Sequence, residues 1–215
     1  MIINILGGGP IEFLPPLTPY QTEKDIWIGV DKGALTLLSH GIQPKHAFGD
    51  FDSVTAAELA IIEENVGDLH RFQPEKDETD MELAILWALE QSPQKIRLFG
   101  ATGGRLDHFF ANIQLLINPV LNGNATPIEI IDQTNLVFLK APGSYEINKD
   151  PLMKYISFIP ITAEVRSLSL QGFKYPLTNR HIPLGSTLCI SNELINDYGN
   201  FSFSTGILMV VRSND

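Results

Sequence analysis

Three short acidic segments hold the residues best suited to chemistry. They are Gly49-Asp50-Phe51-Asp52-Ser53, Lys76-Asp77-Glu78-Thr79-Asp80 and Gly100-Ala101-Thr102-Gly103-Gly104-Arg105-Leu106-Asp107-His108. Carboxylates brought together repel, and at about 4 Å with an effective dielectric near 20 each pair costs roughly 4 kcal/mol. A divalent cation removes that cost, and hard cations such as Mg2+ take oxygen ligands. Glycines and basic residues interleaved with the acids imply that phosphate groups accompany the metal. These residue types together describe a metal–nucleotide site.

Such a site needs a scaffold, and the first half of the chain supplies one. Ile2–Leu6, Ile26–Val30, Ala47–Phe48, Leu69–Phe72 and Ile96–Phe99 read as short strands. Helical patterns alternate with them. Val54–Val66 carries a capping box at Thr55 and Glu58. From Thr79-Asp80 onward, Met81, Ala84, Ile85, Ala88 and Leu89 share one face at 3.6-residue spacing. A third helix is expected near Leu106–Leu116. Each acidic segment therefore falls at the carboxyl end of a strand, the edge of an open α/β sheet where ligands bind. After Leu116 the pattern changes. Ile128–Ile131, Val137–Leu139, Tyr155–Ile159, Val165–Leu170, Leu188–Ser191, Phe201–Phe203 and Ile207–Val211 read as strands separated by Pro, Gly, Asn and Asp turns. Pro142-Gly143 and Asn148-Lys149-Asp150-Pro151 are the clearest boundary signals. The expected layout is an α/β domain with a mostly parallel sheet over 1–140 and an all-β domain over 141–215.

Each motif has a plainer explanation beside the functional one. Gly7-Gly8-Gly9-Pro10 is not the dinucleotide fingerprint, because Glu12 stands where its third glycine belongs, and no Gly-Lys pair exists to form a P-loop. Asp31, just after the second strand, suits a helix cap as well as a ligand. Asp50 and Asp52 point to one face if the backbone there is extended, so both can reach one cation. Asp80 and Asp107 open helices, where the dipole alone favours an acid by about 0.3–1 kcal/mol. That accounts for each singly, not for their recurrence beside Asp50 and Asp52. Lys76 and Thr79 flank Asp80, and Lys76 can meet phosphate as a point charge. Gly100–Gly104 resembles a backbone-amide cradle at a helix N-terminus, to which Arg105 adds a bidentate donor.

Composition narrows the class of partner. Of 215 residues, 44% are apolar and 19% charged, with a net charge of −10. That balance disfavours nucleic acid, which calls for a basic stripe. Cys189 is the one cysteine, which excludes an intrachain disulfide and fits a reducing compartment. No apolar run approaches a membrane span, and the apolar start Met1–Leu6 runs straight into glycines. A cytoplasmic protein is expected.

Asp31-Lys32-Gly33-Ala34, the three acidic segments, Gly172-Phe173-Lys174-Tyr175-Pro176-Leu177 and Ser191-Asn192-Glu193-Leu194, in this order and spacing, resemble bacterial thiamine pyrophosphokinases. The resemblance implies a Rossmann-like α/β domain followed by a β-sandwich. It implies transfer of a pyrophosphoryl group from ATP to the hydroxyl of thiamine, giving thiamine diphosphate and AMP, with Mg2+ as cofactor. It also implies a homodimer with active sites shared between subunits. Asp50, Asp52 and Asp80 would hold the metal and carry catalysis, with either Asp52 or Asp80 accepting the hydroxyl proton. Asp31, Lys76, Thr79, Thr102, Arg105, Asp107 and His108 would bind nucleotide, and Ser191 and Asn192 thiamine. Where some members place a tryptophan on thiamine, this chain has Gly206-Ile207-Leu208-Met209. Two other readings remain. Asp50-Phe51-Asp52-Ser53-Val54 resembles the nucleophile motif of haloacid-dehalogenase-type phosphatases, but that family's later motifs are not evident. A non-catalytic nucleotide-binding regulator is the other.

Overall fold

The computed structural model describes residues 1–73 and 77–215. It divides into two compact units, residues 1–115 with 126–133, and residues 116–125 with 134–215.

The first unit alternates strand and helix: β1 (Ile2–Leu6), β2 (Ile26–Val30), α1 (Lys32–Ser39), β3 (His46–Gly49), α2 (Ala56–Asn65), β4 (Asp68–Arg71), α3 (Asp80–Glu90), β5 (Lys95–Phe99), α4 (Leu106–Leu115) and, after a gap in this unit's chain, β6 (Ile128–Ile131). The six strands are parallel, in the order β6-β5-β1-β2-β3-β4. Continuous apolar runs suit strands covered on both faces. Ile3, Ile5, Leu6, Ile28, Ile96 and Leu98 are fully buried. The chain steps from β1 outward to β4, then returns to lay β5 on the other side of β1. The strand order reverses there, which opens a crevice at the carboxyl ends of β1 and β5.

Local signals explain the helices. Thr55 caps α2 by accepting from the Glu58 amide at 3.3 Å, while its own N–H donates to Glu58 Oε2 at 2.7 Å. Thr79 caps α3 by accepting from the Glu82 amide at 3.2 Å. Met81, Ala84, Ile85 and Ala88 form the buried face of α3, as their spacing requires.

The second unit opens with a short helix, α5 (Ile117–Leu121), and continues as β7 (Asn135–Lys140), β8 (Gly143–Asn148), β9 (Tyr155–Pro160), β10 (Glu164–Gln171), β11 (Leu177–Pro183), β12 (Asn192–Glu193), β13 (Tyr198–Phe203) and β14 (Leu208–Ser213). Two antiparallel arrays result, β12-β9-β14-β7 and β11-β10-β13-β8. Phe158, Leu168, Leu170, Phe173, Phe201, Leu208 and Val210 are among the buried residues clustered within this unit.

Several elements differ from the sequence expectation, the short α5 and the two-residue β12 among them. β8 and β11 went unread because they are the two edge strands of their sheet. β11 buries only Ile182 among seven residues, so its alternation is faint. Leu188–Ser191, expected as a strand, is a turn. Leu188 and Ile190 are exposed and Cys189 is buried.

Candidate active site

The β1 and β5 ends are joined by backbone. Gly7 N–H donates to Phe99 O at 2.9 Å and Gly9 N–H to Gly100 O at 3.0 Å. A Cβ on Gly9 would lie inside contact distance of Gly100 O and 3.0 Å from Thr102 O, so only glycine lets the two turns close. The buried Asn112 of α4 donates to Ala101 O at 2.9 Å, which seats that helix behind the second turn. The result is an open cleft of about 710 Å3, lined by both glycine turns, by Asp31, Asp50 and Asp80, and by Thr102, Arg105 and His108.

Two strand ends and a helix N-terminus deliver the acids. Asp31 leaves β2 at φ 49°, ψ −123°, a conformation that costs a non-glycine residue of order 1–3 kcal/mol and that collects at functional sites. Its N–H donates to Phe48 O at 2.9 Å, and its carbonyl accepts from Ala34 N at 3.1 Å. Its carboxylate makes no cap bond to α1, so the helix-cap explanation does not hold. Asp50 follows β3, and Asp80 is the first residue of α3. One carboxylate oxygen from each of Asp31, Asp50 and Asp80 lies within 4.8 Å of the others, and all three residues are partly buried. Three oxygen donors at this spacing fit one hard divalent cation, which would cancel their mutual repulsion.

Asp52 is not in that set. The expectation that it converges with Asp50 required extended backbone, but Phe51 adopts φ 57° and is 3% exposed, packed with Ala34, Ala47 and Ile62. The chain turns on that buried ring and leaves Asp52 exposed, its N–H donating to Asp50 Oδ1 at 3.0 Å. Asp31 takes the third place.

The remaining expected residues fall into distinct settings. Lys76 lies outside the described residues. Thr79 lines the cleft while capping α3. Thr102 is 8% exposed and its Oγ1 has no hydrogen-bond partner among the described residues, which leaves a buried hydroxyl available to a ligand in the cleft. Arg105 grips Asp107 through Nε–Oδ1 at 3.1 Å and Nη2–Oδ2 at 2.6 Å. That grip holds the Asp107 carboxyl at about 2, well below its usual value. Asp107 is fully engaged with Arg105 and the His108 N–H, and it does not join the three-acid set. Phe109 and Met81 also line the cleft; as apolar residues on helices they carried no sequence signal distinct from core.

In the second unit Ser191 is exposed at φ 56°, its N–H donating to Ser157 Oγ at 2.9 Å. Asn192 is 2% exposed, and its amide is engaged with backbone on both its oxygen and its nitrogen. Its Oδ1 accepts from Tyr175 N at 3.0 Å and Glu193 N at 2.9 Å, and its Nδ2 donates to Tyr175 O at 2.8 Å.

Comparison with known proteins points to one family. The family model "Thiamin pyrophosphokinase, catalytic domain" matches residues 17–130, and "Thiamin pyrophosphokinase, vitamin B1 binding domain" matches residues 144–208. The thiamine pyrophosphokinase of Bacillus subtilis (strain 168) is 54% identical over 213 residues, 99% of either chain. Thiamin pyrophosphokinase 1 of Caenorhabditis elegans is 30% identical over 172 residues, covering 76% of this chain and 68% of its own. The crystal structure of the Bacillus subtilis enzyme superposes with a TM-score of 0.94 at 53% identity, covering both chains completely.

Proposed function

The chain belongs to the thiamine pyrophosphokinase family, and from that premise we propose how its residues move a pyrophosphoryl group from ATP to the hydroxyl of thiamine. The observation that carries this reading is the meeting of Asp31, Asp50 and Asp80 at the mouth of a glycine-lined cleft.

The amides of the two glycine turns and the Thr102 hydroxyl bind the phosphates of ATP. Arg105, its guanidinium oriented by Asp107, donates its remaining N–H groups to them. Asp31, Asp50 and Asp80 would hold Mg2+, which would offset charge on the phosphates. The thiamine oxygen attacks the β-phosphorus in line with the bond to the α-phosphate oxygen; that bond breaks and AMP departs. Asp52, exposed and outside the metal set, accepts the proton of the thiamine hydroxyl. Holding the reactants in line is the larger share of the protein's work, because phosphoryl-type transfer needs little covalent help.

The β unit binds thiamine. Ser191 offers its hydroxyl, and Asn192 shapes the segment around Tyr175 rather than touching the substrate. A homodimer with shared sites and a cytoplasmic location complete the proposal. The dimer rests on the family resemblance; the location rests on the single cysteine and the apolar runs of the sequence, and among the described residues no helix is long and apolar enough to cross a membrane. A phosphatase using Asp50 as nucleophile is less well supported, since both family models and the full-length Bacillus subtilis relative are thiamine pyrophosphokinases.

The test is to incubate the protein with ATP, Mg2+ and thiamine and to measure nucleotides and thiamine diphosphate. AMP and thiamine diphosphate should form in equal amounts without ADP. Release of free phosphate alone, or no turnover, would overturn the assignment.

A further inference from the structure

We propose that Gly49 is a positioning residue for the acidic set: its missing side chain is what allows the Asp31 carboxylate to stand beside Asp50. The inference rests on reading Asp31, Asp50 and Asp80 as a metal centre.

A Cβ built on Gly49 falls inside contact distance of Asp31 Oδ1, and lies 3.2 Å from Asp31 Cγ and 3.5 Å from Asp31 N. Neither backbone can move aside. Asp31 N–H is bonded to Phe48 O at 2.9 Å, and Gly49 O accepts from Phe72 N at 3.2 Å. The parallel register continues across both neighbours, with Val30 opposite Phe48 and Gly49 opposite Arg71. Asp31 is also already in a costly conformation at φ 49°. The atom that a methyl group would meet first is Asp31 Oδ1, the far end of a side chain and not backbone. A methyl group at position 49 would therefore leave the strands in place and swing that carboxylate out of the set. Two remaining oxygens bind a divalent cation more weakly than three. Gly49 carries no functional group, yet it sets the metal affinity of a residue 18 positions earlier in the chain.

The experiment titrates Mn2+, read by the loss of the free-ion electron paramagnetic resonance signal, against protein saturated with α,β-methylene-ATP, which cannot release AMP. Wild type, Gly49→Ala, Asp31→Ala and the double variant are compared, with thermal melts alongside. Gly49→Ala should bind Mn2+ at least tenfold more weakly while melting near wild type. Its apparent Michaelis constant for Mg2+ should rise more than that for thiamine. The double variant should bind no more weakly than Asp31→Ala, because no carboxylate remains to be displaced. Should Gly49→Ala fail to fold, the double variant should fold, since removing the carboxylate removes the clash. Wild-type affinity in Gly49→Ala together with weak binding by Asp31→Ala would overturn the role of Gly49 alone. So would losses that multiply in the double variant, or a double variant that does not fold. Wild-type affinity in Asp31→Ala would overturn the metal-centre reading and the inference with it.

Discussion

The acidic set of the first unit and the Asn192 node of the second solve opposite problems. Asn192 is buried, and its amide makes three backbone hydrogen bonds that tie Tyr175 and Glu193 together. Asp31, Asp50 and Asp80 crowd like charges at a half-open cleft, one of them on a strained backbone. A satisfied buried polar group stabilises the fold, whereas like charges held together destabilise it until a ligand arrives. The contrast separates residues that build the protein from residues that await substrate, even where both look equally polar in sequence.

The largest expected effect lies at the acids. Asp50→Asn and Asp80→Asn should each lower turnover by at least about 100-fold, roughly 2.7 kcal/mol of transition-state stabilisation. Their apo melting temperatures should hold or rise, since each removes a repelling charge. Near-wild-type turnover at saturating Mg2+ would erase the contrast from this side.

Asn192→Ala tests the other side. It leaves the Tyr175 N–H, the Tyr175 carbonyl and the Glu193 N–H without partners, so denaturant unfolding should show a loss of about 1–3 kcal/mol. Use of thiamine should weaken in step with that loosening while ATP binding is kept. Full stability with lost thiamine binding would return Asn192 to direct substrate contact.

Arg105 and Asp107 lie between the two extremes, because the arginine proposed to meet phosphate is here oriented by an acid. Arg105→Lys should impair the enzyme through ATP, since a point charge cannot reproduce the bidentate fork. Asp107→Asn should do less, loosening only the orientation of Arg105. Because Asp107 titrates near 2, this pair stays intact across the working range, and the acid limb of the pH–rate profile should not change in Asp107→Asn. A defect in Arg105→Lys confined to the Michaelis constant for thiamine would contradict the assignment.

The smallest effect is a pH dependence of stability. His46 is buried on β3, with Nδ1 3.3 Å from His70 Nε2 and 3.5 Å from Asp68 Oδ2. Burial pushes its imidazole pKa down; Asp68 opposes this, while His70 and Lys45 add to it. A base whose folded value is depressed leaves the unfolded state with more bound protons, so stability falls as pH drops below about 6.5. Melting temperature should therefore decline from pH 7 to pH 5.5, and His46→Gln should flatten that decline. An unchanged slope would exclude His46 as its source.

Much of this was legible in the sequence. The helix over α3 declared itself through its 3.6-residue apolar face, and the capping box announced α2. The central strands of the first unit read as apolar runs because both their faces are covered. The edge strands β8 and β11 were illegible because each buries little, and Leu188–Ser191 misled because two apolar residues there face solvent. Thr102 was named for its place in a glycine turn, but its unpartnered buried hydroxyl could not be read from the turn.

Residue types and their spacing on their own determined that this chain carries an acidic, glycine-rich edge on a parallel sheet. Apolar periodicity and caps act over a few residues and need no partner from elsewhere in the chain. Only the tertiary structure decided which acids meet. Asp52 is lost from the set because Phe51 buries its ring and turns the backbone, and Asp31 is gained because Gly49 leaves room for its carboxylate. Both outcomes depend on contacts between strands β2 and β3, and the shape of a gap between two strands is written in neither of them alone.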